Sequence, residues 1–157
     1  MKPNIGITQE HLAEISHILS RILADEFVLY TKTWNAHWNL EGPNFHSMHL
    51  LFESQYNEIA KIVDTIGERI RMLGHYAPAT LKQFLRLTHL TEQTREEINS
   101  KGFIKELLND HEAIILNIRT QINRVAEQLK DSGTSDCLTG LIRYHEKTTW
   151  VLRSHLI

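Results

Sequence analysis

The sequence predicts an all-α protein, and three observations support that prediction. Apolar residues recur at intervals of three and four over four long segments, which is the period of a helix with one buried face. Most of the 7 Gly and 3 Pro residues fall between these segments. Hydrophobic residues make up 41% and charged residues 23% of the chain, an ordinary globular composition. We therefore expect one domain, residues 1–157, with its own core.

The first predicted helix begins at Thr8, because a threonine hydroxyl suits the N-cap position. It ends before Gly42-Pro43, because proline disfavours helical geometry in the residue before it. Its apolar positions follow three-four spacing: Leu12, Ile15, Leu19, Ile22, Leu23, Phe27, Tyr30 and Trp34.

The second predicted helix runs from about Asn44 to Leu73, and Gly74 suits the residue that follows a helix end. Its expected core stripe is Phe45, Met48, Phe52, Gln55, Ile59, Ile62, Ile66, Ile70 and Leu73.

The third predicted helix spans about residues 100–130 and is interrupted by the sequence DSGTSD; the fourth begins near Thr134 or Ser135. Short links join the first helix to the second and the third to the fourth, so each pair is antiparallel. About 25 residues, His75–Asn99, connect the two pairs and contain a short helical piece, TLKQFLRL. A link this long can run the length of a bundle, which predicts a ferritin-like four-helix bundle. A simple four-helix bundle with a long loop is the alternative.

Composition limits the functional classes. The formal net charge is −2, so the chain lacks the bulk positive charge that attracts nucleic acid or anionic lipid. No apolar run approaches the roughly 20 residues that span a bilayer, and the first ten residues contain no apolar core of a secretory signal. The single cysteine, Cys137, fits a reducing compartment. We therefore expect a cytoplasmic protein with no membrane partner.

A second, polar stripe runs along the second predicted helix. At about 100° per residue it lies apart from the core stripe. Four side chains lie on it: His49, Glu53, Asp64 and Glu68. Such a face is usually a solvated surface, but Ala60 and Gly67 interrupt it with small side chains that would let another helix approach closely.

The spacing on this stripe separates two halves of a candidate metal site. His49 and Asp64 are 15 residues apart, which is about 22 Å along a helix, so they cannot bind one ion within one chain. If the helix packs antiparallel against a copy of itself across a two-fold axis, His37 and His49 of one chain face Asp64 and Glu68 of the other. Two imidazoles and two carboxylates suit Fe²⁺ or another borderline cation.

Two other designs compete with the shared site. An intrachain di-iron centre takes two Glu-x-x-His motifs from different helices, and this chain has one, from Glu14 to His17. A metal-free structural bundle is the other alternative, and the paired arrangement of the polar stripe argues against it.

At these residues the chain resembles the Dps family, the miniferritins, over essentially its whole length. The resemblance is carried by AHWN at 36–39, GPNFHSMHLLFE at 42–53 and DTIGERIRMLG at 64–74. It implies a hollow homododecamer that oxidises Fe(II), preferentially with hydrogen peroxide, stores ferric mineral inside and so protects against oxidative damage.

The resemblance also implies the iron ligands of this ferroxidase. They fall on His37 and His49, with Asp64 and Glu68 from the two-fold mate, and a further acidic position near the second metal falls on Glu53. Iron is the implied metal at this site between subunits, and other divalent metals can substitute for it.

In the family, acidic residues around the start of the fourth helix line iron-entry pores at three-fold axes. Asp136 matches that position, and Asp131 and Glu127 match it loosely. The alternative for an acidic residue there is pairing with the helix dipole.

The remaining aromatic and histidine residues receive simpler interpretations. Trp38, beside His37, is expected to pack in the core, and electron donation to the iron site is its alternative. His46 projects near the polar stripe, where a plain surface histidine is expected and a supporting role at the metal site is the alternative. The other histidines are assigned structural roles: His11, His17, His75, His89, His111, His145 and His155.

Nucleoid binding is the second functional class, because several members of the family coat DNA and generally carry a tail rich in Lys and Arg. Here the segment before the first helix holds one basic residue, Lys2, and the last helix ends almost at Ile157. We therefore expect weak or absent DNA binding, with nucleoid association as the alternative to a free cytoplasmic location.

Overall fold

The computed structural model describes residues 3–93, 95 and 97–157, and their regular structure is helical. Five α-helices follow one another: α1 (Gln9–Asn39), α2 (Phe45–Met72), α3 (Leu81–Leu87), α4 (Ser100–Asn123) and α5 (Ser132–Ser154). Four of them are long, and the short α3 lies in the connection between α2 and α4. The predicted all-α class and the helical piece in the long connection are confirmed.

Two antiparallel helix pairs build the bundle, since α1 packs most extensively against α2 and α4 against α5. The side chain of Thr8 accepts the backbone N–H of His11 at 3.2 Å, so the predicted N-cap begins α1. Apolar residues from all four long helices share one core, which includes the fully buried Leu19, Phe52, Phe103 and Leu138. None of the helices in the described residues combines the length and apolar content that a membrane crossing requires.

The core stripe of α2 is confirmed except at its first residue. From Met48 to Leu73 the predicted positions are buried, but Phe45 is 44% exposed. Phe45 lies at the N-terminal tip of α2 and stacks on the His49 ring, with 5.0 Å between ring centroids. Gly74 has a φ of +86° and ends the helix as predicted.

The junction between α4 and α5 differs from the predicted one. After Asn123 the chain forms a π-helical turn over Arg124–Gln128, and Lys130 then takes a left-handed φ of 62°. Asp131 accepts the backbone N–H of Thr134 at 2.9 Å. An aspartate N-cap therefore begins α5 at Ser132, earlier than the predicted start.

Buried ion pairs fasten the long connection to the bundle. Lys32 of α1 lies 2.6 Å from Asp110 of α4 and donates to the carbonyl of Thr91 at 2.9 Å. Arg95 pairs with Glu106 at 2.8 Å. Burial raises the pKa of Asp110 to about 6, although Lys32 opposes that rise.

Candidate metal centre

The end of α1 and the start of α2 bring two histidines into direct contact. Nδ1 of His37 lies 2.9 Å from the carbonyl oxygen of His49, and Nδ1 of His49 lies 2.9 Å from the carbonyl oxygen of His37. The rings stack with centroids 3.7 Å apart. Because a carbonyl oxygen only accepts, each Nδ1 must carry the proton, and the lone pair of each neutral ring lies on Nε2. The reciprocal hydrogen bonds therefore set both rings in the tautomer that binds a metal through Nε2.

Aromatic side chains surround this histidine pair. The rings of Tyr56 and His37 meet in a T-shaped contact with 5.2 Å between centroids. His37 is 8% exposed and His49 is partly buried. Trp38 was predicted to pack in the core, and that prediction is wrong for the single chain: Trp38 is 64% exposed and stacks on Trp34 at 5.2 Å.

The two acidic residues lie further along α2, on its exposed face. Asp64 and Glu68 line a shallow groove of about 510 Å³, and Gly67 lies between them. Part of the opposite wall comes from Leu81 and Phe84 of α3, so the long connection shapes this half of the site. Glu53 is partly buried nearer the histidine end of α2.

A single chain does not assemble these residues into one site. Within residues 3–93, 95 and 97–157 of one chain, no three His, Cys, Asp or Glu side chains come together closely enough to hold a metal ion. The structure brings His37 and His49 together and places Asp64 and Glu68 in one groove. The rise of α2 separates the two halves by about 22 Å.

The structure gives Asp131 a role other than lining a pore. Its carboxylate is 3% exposed and accepts from Arg69 at 2.9 Å and from the Thr134 hydroxyl at 2.5 Å. Burial raises the pKa of Asp131, but hydrogen bonds from Thr134 and the charge of Arg69 outweigh that effect, and the net pKa is lowered. The residue caps α5 and joins it to α2, and its assignment as a pore residue stays a prediction. Asp136 and Glu127 are exposed.

Two histidines that were assigned structural roles take part in an unpredicted polar cluster. His111, His145 and Glu26 are each 0% exposed and are joined by hydrogen bonds across α4, α5 and α1. His111 lies between the buried Leu108 and Ile114 of α4, and a histidine among buried apolar residues indicates a buried hydrogen-bond partner. The sequence offered no signal for Glu26, which is 119 residues from His145.

Comparison with known proteins gives one consistent result. The family model described as a ferritin-like domain matches residues 16–157. DNA protection during starvation protein 2 of Bacillus anthracis is 33% identical over 143 residues, which is 91% of this chain and 97% of that protein.

Solved structures agree with this match. Dps from Thermosynechococcus elongatus is 31% identical with a TM-score of 0.88, covering 95% of this chain and 94% of that one. The Dps protein of Vibrio cholerae, described as a member of a broad superfamily of ferritin-like diiron-carboxylate proteins, is 26% identical with a TM-score of 0.92, covering 99% and 97%. These matches confirm the ferritin-like arrangement of the bundle. The chain belongs to the Dps family of the ferritin-like superfamily.

Proposed function

We propose that this protein is an iron-storage ferroxidase whose iron site is shared between two subunits. One observation carries the proposal. Nδ1 of His37 and Nδ1 of His49 each donate to the backbone carbonyl oxygen of the other residue, which leaves two neighbouring Nε2 lone pairs for a metal. The two imidazoles alone make an incomplete iron site, because such sites also take carboxylate oxygen ligands. Asp64 and Glu68 of a two-fold related copy supply the missing oxygen ligands.

Exposed apolar side chains near both halves support this pairing. Those near the histidines are Trp38, Phe45 and Leu50, and those beyond the acidic pair are Met72, Leu81 and Leu85, all at least 44% exposed. Large exposed apolar patches commonly mark contact surfaces. An isologous contact places the histidine half of each chain on the acidic half of the other, so that one two-fold axis buries both patches and makes two equal sites.

The chemistry follows from the charges of the ligands. Asp64 and Glu68 carry negative charge that attracts Fe(II) and favours the more highly charged Fe(III) product. The imidazoles must be neutral to coordinate, so acid weakens iron binding. Glu53, partly buried on α2 near the histidine end, is the proposed oxygen ligand for a second iron. One hydrogen peroxide molecule accepts one electron from each of two Fe(II) ions and, with two protons, leaves as two water molecules.

Storage and protection complete the proposal. The family resemblance implies a hollow dodecamer, in which the ferric product collects as mineral. The Bacillus anthracis relative is named for DNA protection, and here we assign protection to the removal of Fe(II) and peroxide in the cytoplasm. Lys2, the basic residue expected before α1, lies outside the described residues. At −2 per chain, twelve copies carry about −24, which repels DNA at long range.

The direct test is Fe(II) oxidation by hydrogen peroxide, followed as ferric absorbance. His37→Ala and Asp64→Ala should each slow the initial rate by at least about tenfold, because each removes a ligand while leaving the fold intact. His17→Ala, at an exposed histidine of α1, is the matched control and should oxidise iron like the wild type. Wild-type rates in both site variants would show that the site is elsewhere.

A further inference from the structure

A buried polar chain crosses the interior of the bundle, away from the proposed iron site. Nδ1 of His111 lies 2.7 Å from Nδ1 of His145, and Nε2 of His145 lies 2.7 Å from Oε1 of Glu26. The three side chains come from α4, α5 and α1, and each is 0% exposed. A cluster with this burial and these distances must share protons among its members, because each short contact requires a donor.

The number of protons in this chain is restricted. The contact between the two Nδ1 atoms holds one proton, and the contact between His145 and Glu26 holds another. If His145 carries both protons, it donates to His111 and to Glu26, and its positive charge cancels that of the carboxylate. If His111 instead donates the proton on its Nδ1 to His145, then His145 keeps only the proton on Nε2 and is neutral. The Glu26 carboxylate then leaves the cluster with a net negative charge. His111 is neutral in both arrangements, and the first is favoured in a dry interior because it carries no net charge.

When His145 is the donor, one further proton on His111 cannot be accommodated. A protonated His111 would direct an N–H at the N–H of His145, which removes the hydrogen bond and places two positive charges side by side. Burial, and then the charge of His145, lower the pKa of His111 well below its ordinary value. At acidic pH, His111 of the folded subunit therefore binds a proton less readily than His111 of the unfolded chain.

Two neighbouring side chains of the described residues, Tyr144 and Gln55, are uncharged and cannot balance a second proton. Tyr144 of α5 packs at 5.2 Å from the His145 ring, and burial raises the pKa of its phenol far above neutrality, so it stays uncharged. From α2, Glu58 acts on Tyr144 electrostatically and Gln55 presents a neutral amide to the interior. In the described part of the chain, Nε2 of His111 and Oε2 of Glu26 are buried without a hydrogen-bond partner.

We propose that Glu26, His145 and His111 form an acid-sensitive latch that joins α1 to α4 and α5 near neutral pH and releases them when His111 is protonated. The sign follows from proton linkage. Because folding lowers the affinity of His111 for a proton, its contribution to stability is complete above about pH 6.5, the ordinary histidine value, and is lost as the pH falls below it. The expected loss approaches tenfold in the folded-to-unfolded ratio per pH unit for each subunit.

The test compares unfolding of the intact protein in urea between about pH 7.5 and 5. In His111→Asn, the amide oxygen takes the place of Nδ1 and still accepts the N–H of His145, but it cannot be protonated. Its stability should therefore fall less steeply with acid than that of the wild type, by up to about tenfold in the folded-to-unfolded ratio per pH unit. His17→Asn, at an exposed histidine on α1, should keep the wild-type slope.

A second variant keeps the proposal testable if His111→Asn does not fold. Glu26→Gln still accepts from Nε2 of His145 but removes the negative charge that balances a proton in the cluster, so stability should fall more steeply below about pH 6.5 than in the wild type. Parallel pH profiles for the wild type and His111→Asn would overturn the latch. A pH profile of Glu26→Gln with the same slope as the wild type below about pH 6.5 would overturn it as well.

Discussion

Asp131→Ala tests whether this residue stabilises the junction of α5 with α2 or lines an iron-entry pore. The substitution removes the N-cap of α5, which costs about 1 kcal/mol. It also removes a buried carboxylate that accepts from Arg69 at 2.9 Å and from the Thr134 hydroxyl, and hydrogen bonds to charged groups contribute about 1.5–3 kcal/mol each. The Arg69 side chain is 24% exposed and can be rehydrated after the change, which reduces the loss. We expect a total destabilisation of about 3 kcal/mol.

Thermal unfolding measures this loss directly. For a chain of this size, about 3 kcal/mol corresponds to a fall of about 6–12 °C in the apparent Tm. The pKa of Asp131 is lowered in the folded protein, so the stability that it contributes is complete above about pH 4 and is lost as the pH falls further. The gap between wild type and variant should therefore close in strong acid.

Asp136→Ala is the matched control, because Asp136 is exposed on the same helix. It should leave the Tm within about 1 °C of the wild type, as surface substitutions usually do. If Asp136 lines an entry pore, its loss should slow iron uptake without changing stability. A normal Tm for Asp131→Ala, together with slower iron uptake, would refute the structural assignment of Asp131.

Two further predictions concern charge. The pKa of Asp110 is raised to about 6, so between about pH 4 and 6 the folded protein keeps a proton on Asp110 that the unfolded chain has released. The wild type should therefore gain stability relative to Asp110→Asn as the pH falls from 7 to 5. The measurement is the difference in Tm between the two proteins. A difference that shrinks in this range would contradict that charge state. Duplex DNA should show no saturable gel shift at pH 7.5 and about 0.15 M salt, because affinity for DNA comes largely from Lys and Arg contacts with phosphates. A tight, saturable shift would place nucleoid binding ahead of storage.

The sequence predicted the parts of the fold that depend on local pattern. The spacing of apolar residues located all four long helices, and Thr8 and Gly74 marked helix ends by their own backbone preferences. The start of α5 was predicted late because Asp131 and Thr134 both suit an N-cap. The structure shows that Asp131 begins the helix, because its carboxylate accepts the backbone N–H of Thr134 and also pairs with Arg69.

Exposure and long-range pairing were the features that the sequence could not resolve. Phe45 and Trp38 have the apolar character of core residues, and helical period alone does not say whether their partner is the same chain or another copy. The cluster of Glu26, His145 and His111 depends on the order of helices around the bundle, and residues 119 positions apart carry no local signal. The polar stripe of α2 was predictable because its residues share one helix, whereas its pairing across a two-fold axis stays a prediction.

The shared iron site can be tested with two inactive subunits that complement each other. One carries His37→Ala and His49→Ala, and the other carries Asp64→Ala and Glu68→Ala. The two are co-expressed with different affinity tags and purified through both tags, so that every particle contains both.

Initial rates of Fe(II) oxidation by peroxide in these mixed particles test the central claim most directly. Each variant alone should be inactive, while each mixed dimer regains one intact site of its two. Random pairing of equal amounts should therefore restore about one quarter of the wild-type rate. Recovery near that level supports ligands drawn from two chains. No recovery in particles shown to contain mixed dimers would contradict the shared site, because ligands that all come from one chain cannot be restored by pairing.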